Sequence, residues 1–258
     1  MNVLRIAVTL IGAVGIWLGN GFVATVLFGA GYSMPGHVFR AISTAILVAA
    51  LLALVLRLWP IDIGLRPNPR RLRLAGIGAI AYAVPFAIGA AIILMLSLAT
   101  LSIDAAALWR MLVVLALVLL FEAIPEELIF RGVIYASLRK RLAPWATILI
   151  QAALFTAFGL AIGAATDPLR VVLFFTMSVA LGIIRAATGS VYATIGFHAA
   201  FQLISQTINS PQWDVAVLAD PELWFRDIAF YLAPLVVAPL AVAVGTFLWT
   251  RNRVRVGA

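Results

Sequence analysis

Long runs of apolar residues, separated by short basic, glycine- or proline-containing segments, make up most of this chain. A helix that crosses the hydrocarbon layer of a membrane needs about 20 mainly apolar residues. Applied along the sequence, that length predicts eight spans, at 6–28, 38–59, 74–101, 108–138, 143–163, 169–186, 191–208 and 228–249. Local punctuation agrees, since Asp167-Pro168 has the form of an N-cap followed by proline at the first helical position. The fourth span holds Pro125 in its interior, where the ring takes a hydrogen bond away from the carbonyl of Phe121 and predicts a bend.

Composition turns this pattern into a class. With 64% hydrophobic and 11% charged residues and a mean hydropathy of +1.12, the chain lies far outside the soluble globular range. The expected fold is an all-α, polytopic integral membrane bundle, one domain over 1–258 whose 107–210 core carries the polar motifs. The absence of cysteine excludes disulfides, thiolate metal sites and cysteine nucleophiles.

A net charge of +8 invites a nucleic-acid reading, but the basic residues punctuate apolar runs instead of gathering on a soluble face. Charge here reports topology. Placing both termini in the cytoplasm assigns Arg5, Arg57, Arg66, Arg70, Arg71, Arg73, Arg139, Lys140, Arg141, Arg185, Arg251, Arg253 and Arg255 to that side. The far side keeps Arg40, Arg110, Arg170 and Arg226, together with Asp104, Asp167, Asp214, Asp220, Glu222 and Asp227. The positive-inside rule therefore favours an even number of spans and a cytoplasmic (inner) membrane location. The first span, with a meagre basic start and no small-residue cleavage site, reads as an uncleaved helix. Trp17, Trp59, Trp109, Trp145, Trp224 and Trp249 are expected mostly at interfaces, and Gly15 with Gly19 and Gly159 with Gly163 at close helix contacts.

Against this apolar background the fourth span carries Glu122, Glu126, Glu127 and Arg131. Insertion scales put the cost of each ionisable group at bilayer depth at about 2.5–3.5 kcal/mol, so such a cluster marks a functional site by default. Helical spacing sets Glu122 and Glu126 on one face and pairs Glu127 with Arg131 on a neighbouring one. That leaves Glu126 as the candidate general base. A bland alternative is an ion-pair knot bracing a bent helix. The seventh span adds a polar stripe, His198, Gln202, Gln206 and Asn209, whose bland alternative is interhelical hydrogen bonding. The fifth contributes only Gln151 and Thr156 with its glycines.

These residues resemble the CAAX protease and bacteriocin-processing family (CPBP, also called Abi), which includes the type II CAAX prenyl endopeptidases. The resemblance runs from about 60 to 210. It rests on Glu126-Glu127-Leu128-Ile129-Phe130-Arg131-Gly132 as EExxxR-G, on Gly189-Ser190 leading into His198-Ala199-Ala200-Phe201-Gln202 as HxxxN, and more weakly on Ile63-Gly64-Leu65-Arg66. It implies an intramembrane endopeptidase acting on a hydrophobic or lipidated peptide. In that scheme Glu126 and a histidine of a middle FxxxH motif activate water, Glu127 and Arg131 position, and His198 with Gln202 steady the oxyanion. The chain departs from the pattern in the middle motif. Phe155-Thr156-Ala157-Phe158-Gly159 puts glycine where the family has histidine, and Gln202 stands for its asparagine.

With His37 expected on a far-side loop, only His198 and the glutamates remain for a metal. A three-ligand zinc, which some readings of the family imply, is not expected, nor is any other cofactor. Two alternatives stand beside the endopeptidase: a pseudoprotease scaffold that binds membrane peptides or partners, and a proton-coupled transporter using Glu122 and Glu126.

Overall fold

The computed structural model describes residues 3–31, 33–65, 68–208, 213, 215–220, 222–237, 239–241 and 243–244. Asn209, Asp214, Arg66, Trp249 and the three arginines after it lie outside the described residues. Among the described residues eight helices run back and forth. They are α1 Val3–Phe28, α2 Met34–Leu58, α3 Pro69–Met95, α4 over 110–139, α5 Pro144–Ala161, α6 Pro168–Thr188, α7 Val191–Thr207 and α8 Phe225–Val237. α1, α2, α3, α5 and α6 are long and apolar enough to cross a membrane. α4 carries the four ionisable groups, and α7 is 17 residues long. Large apolar side chains such as Ile11, Phe22, Ile46, Ile80 and Leu112 point outward, as lipid-facing surfaces require. The protein is an all-α integral membrane bundle.

Several sequence expectations are corrected. The third helix stops at Met95, short of the expected 101. Thr100–Ile103 instead forms strand β1, paired antiparallel with Ala216–Ala219, β2. This small ribbon fastens one end of the bundle, where the Arg110 guanidinium also donates to the Trp213 carbonyl at 2.7 Å. His37 lies in the first turn of α2, capped by Ser33, not on a loop. Trp17 is buried against Phe121 and Phe158, whereas Trp109, Trp145 and Trp224 are exposed as interfacial anchoring expects.

The small-residue contacts also fall elsewhere. Gly15 and Gly19 face open space, and the close neighbour of α1 is Leu51 against Gly12. A Cβ on Gly163 would meet nothing within 4 Å, and this glycine instead turns the chain after α5 with φ +71°. The tightest approach joins α3 and α7. A Cβ on Gly78 would stand 1.9 Å from the Ala193 carbonyl oxygen, and one on Gly196 would stand 1.8 Å from that of Ala75. Only glycine at both positions lets the two backbones meet.

Pro125 has a structural answer too. α4 is continuous, but it alternates α-turns at Arg110–Val118, Ile124–Glu127 and Tyr135–Arg139 with wide π-turns at Leu119–Ala123 and Leu128–Ile134. Widening to i→i+5 bonding absorbs the register change a mid-helix proline imposes, and such turns recur at functional positions. These two wide turns bracket the glutamate pair on either side.

Candidate functional site

α4 and α7 present their polar faces to each other. Glu127 and Arg131 are fully buried, and the Arg131 guanidinium donates to Glu127 Oε1 at 2.8 Å. His198 Nδ1 lies 3.0 Å from the same oxygen. A carboxylate that already accepts from an arginine has no proton to give, so the hydrogen of this contact is assigned to Nδ1, which leaves the other ring nitrogen, Nε2, toward Glu126. That nitrogen is 4.0 Å from Glu126 Oε2, too far for a direct hydrogen bond.

Arg131 is held from three further directions. Its other terminal nitrogen donates to Ser178 Oγ on α6 at 2.8 Å, and the same hydroxyl accepts from Gln151 on α5 at 2.7 Å. The guanidinium lies 4.8 Å from the ring centroid of Phe155, a cation–π arrangement. From below, Arg185 Nε donates to the Arg131 main-chain carbonyl at 3.0 Å. Sequence reasoning passed over Ser178, which has no partner at helical spacing to flag it. It also assigned Arg185 to topology alone, although that side chain is largely buried against Tyr135.

The remaining candidates separate. Glu126 is 7% exposed and borders a cavity of about 850 Å3, along with His198, Gln202, Glu122 and Gln206. This falls within the usual range of ligand sites. Gln202 is not bonded to His198; its side-chain oxygen accepts from Ser205 at 3.4 Å, which leaves its amide facing the cavity. Gln206 donates to both oxygens of Glu122, at 3.1 and 3.3 Å. Thr156 bonds back to the Ala152 carbonyl and takes no part.

At Gly159 the ring of Phe174 occupies the space a side chain would need, with two ring carbons 2.5 Å from an ideal Cβ. Phe174 stacks on Phe155 at 5.3 Å and forms part of the cavity wall. Where the resemblance expects histidine, this chain has an aromatic ring delivered from α6.

A catalytic zinc usually takes three protein ligands. Here Glu126 and His198 Nε2 are open donors, and Glu127 has Oε1 engaged with Arg131 and His198 Nδ1 while Oε2 is buried without a hydrogen-bond partner among the described residues. Among the described residues no group of three or more histidine, aspartate or glutamate side chains could hold a metal ion.

Comparison with known proteins returns one family. Residues 107–204 match the sequence model of the type II CAAX prenyl endopeptidase Rce1-like family. No curated protein and no solved structure matches the chain. The matched segment runs from the turn before α4 almost to the end of α7, and so contains both glutamates, Arg131, Ser178 and His198. Residues 107–204 of this integral membrane protein are thus similar to the Rce1-like type II CAAX prenyl endopeptidases.

Proposed function

We propose that this protein is an intramembrane endopeptidase that hydrolyses a peptide bond in a hydrophobic or lipidated segment, using a water shared by Glu126 and His198. The observation that carries this reading is the 4.0 Å gap between Glu126 Oε2 and His198 Nε2 at the wall of a polar-ended cavity. A water about 2.8 Å from each of two acceptors at that separation subtends about 90°, near its own bond angle, and so can donate one hydrogen to each.

Glu127, fixed by Arg131, fixes the imidazole in turn, as carboxylate–histidine pairs do in hydrolases. In the reaction Glu126 takes a proton from the water while the water oxygen attacks the scissile carbonyl carbon. The carbonyl electrons move to oxygen, and the Gln202 amide donates to that oxyanion. The C–N bond then breaks as the proton passes to the leaving nitrogen. If His198 takes the proton instead, its imidazolium Nε2–H becomes a second donor to the oxyanion. One residue thereby serves as acceptor and then as donor.

The test is cleavage of a panel of membrane-inserted apolar peptides, with and without a prenyl group, by the purified protein in lipid. Glu126→Gln is expected to lower kcat by about 10²- to 10⁴-fold, the worth of a positioned base, while leaving thermal unfolding unchanged. Undiminished cleavage by that variant removes the reading.

The Phe174 ring beside Gly159 favours a second reading, a pseudoprotease scaffold that binds such segments without cutting them. Gly159→His alone must displace that ring and is expected to destabilise the protein. Combined with Phe174→Ala, the histidine has room, and an enzyme should accelerate by up to about 10⁴-fold. A scaffold stays inert in both variants.

A further inference from the structure

The element order sorts the charged residues by end. One end of the bundle gathers the start of α1, the α2–α3 loop, the α4–α5 loop and the α6–α7 turn. They are tied together by Arg5 to the Trp59 carbonyl at 3.2 Å, Tyr192 to the Leu65 carbonyl at 3.0 Å and Arg71 to the Gly64 carbonyl at 3.1 Å. Among the described residues this end carries Arg5, Arg57, Arg70, Arg71, Arg73, Arg139, Lys140, Arg141 and Arg185 against the single acid Asp62. The opposite end has Arg40, Arg110, Arg170 and Arg226 against Asp104, Asp167, Asp220, Glu222 and Asp227. A bias of this size in short loops orients membrane proteins with the basic end in the cytoplasm.

The cavity that reaches Glu126 and His198 opens at the other end. Its mouth is formed by Gly163, Ala164, Asp167 and Arg170 between α5 and α6, and by Asp220 and Leu223 before α8. Toward the basic end the route is shut. Ile63, Ile129, Val133, Ile134 and Leu138 are all at most 4% exposed and fill the space beneath the pair. Arg131 and Arg185 close over them. The cavity of about 940 Å3 at the basic end is lined by Ile63, Tyr135, Lys140 and Arg185 and touches neither Glu126 nor His198.

We infer that the peptide bond to be cut enters from the side of the membrane opposite the basic loops. The substrate class is then an apolar segment of a polypeptide lying on, or exported to, the non-cytoplasmic face. This rests on the endopeptidase reading for the word substrate, but the direction of access is a property of the fold and is tested without any cleavage.

The chain has no cysteine, so single replacements report access against a silent background. Leu223→Cys sits at the mouth and Ser205→Cys inside the cavity, while Leu65→Cys and Lys140→Cys mark the basic end. Each is expressed in sealed right-side-out membrane vesicles and treated with the impermeant sulfonatoethyl methanethiosulfonate, whose sulfur is captured by the thiolate as methanesulfinate leaves. The expected result is modification of Leu223→Cys and Ser205→Cys in sealed vesicles, and none of Leu65→Cys or Lys140→Cys until the vesicles are permeabilised. The reverse pattern, or protection of Ser205→Cys while Lys140→Cys reacts, overturns the inference. Either outcome stands apart from the enzyme reading, which the Glu126→Gln cleavage assay decides separately.

Discussion

Arg131→Met is expected to lower the stability of the folded protein by about 3–5 kcal/mol, measured by thermal or denaturant unfolding in a lipid-like detergent, because it strands a buried carboxylate. The arginine is fully buried and supplies the strong bond to Glu127, a bond to Ser178 and the cation–π contact with Phe155. Without it Glu127 loses its charged hydrogen-bond partner and keeps His198, and the Gln151–Ser178 pair on α5 and α6 loses its third member. Replacing both members of a buried ion pair with apolar residues is often close to neutral. Glu127→Leu with Arg131→Met should therefore recover most of the lost stability. Cleavage should not recover, because nothing then orients the His198 ring. If the double variant is as unstable as Arg131→Met, the charge is not what makes the single change costly.

The second large effect is steric. Gly196→Ala puts a carbon 1.8 Å from the Ala75 carbonyl oxygen, and close carbon–oxygen contacts between helices settle near about 3.3 Å, so α3 and α7 must part by roughly 1.5 Å. His198 is two residues further along α7. A misplacement of about 1 Å at a reacting group can cost about 10²-fold in rate, so cleavage by Gly196→Ala should fall at least that far. Gly78→Ala meets the Ala193 carbonyl from the other helix and should behave alike. Gly15→Ala, which faces open space, should leave cleavage and unfolding unchanged and serves as the control.

These contrasts show what a sequence of this kind reveals. Apolar length marked out the helices well, because nothing but a helix satisfies its own backbone in lipid. The ionisable residues stood out for the same reason, and α4 and α7 do bring Glu126, Glu127, Arg131 and His198 together. Which small residues make contacts was not legible: Gly15 with Gly19 and Gly78 with Gly196 are equally small, and only the packing decides which face inward. The π-turns around Pro125 were hidden because proline announces a missing hydrogen bond, not the way the helix compensates. The β1–β2 ribbon was hidden because its strands are four residues each and over a hundred positions apart, so that apolar Leu101 read as the tail of a span. Phe174 beside Gly159 lay beyond reach as well, since the sequence marks the missing histidine but not the ring that fills its place.

One water held jointly by Glu126 and His198 is the centre of the proposed chemistry. A double-mutant cycle with Glu126→Gln and His198→Gln, read as kcat/KM on one membrane peptide, tests this most directly. Groups that act on a single water are non-additive, so the double variant should cleave no more slowly than the slower single variant. If the two losses instead multiply, Glu126 and His198 act independently and the shared water is contradicted.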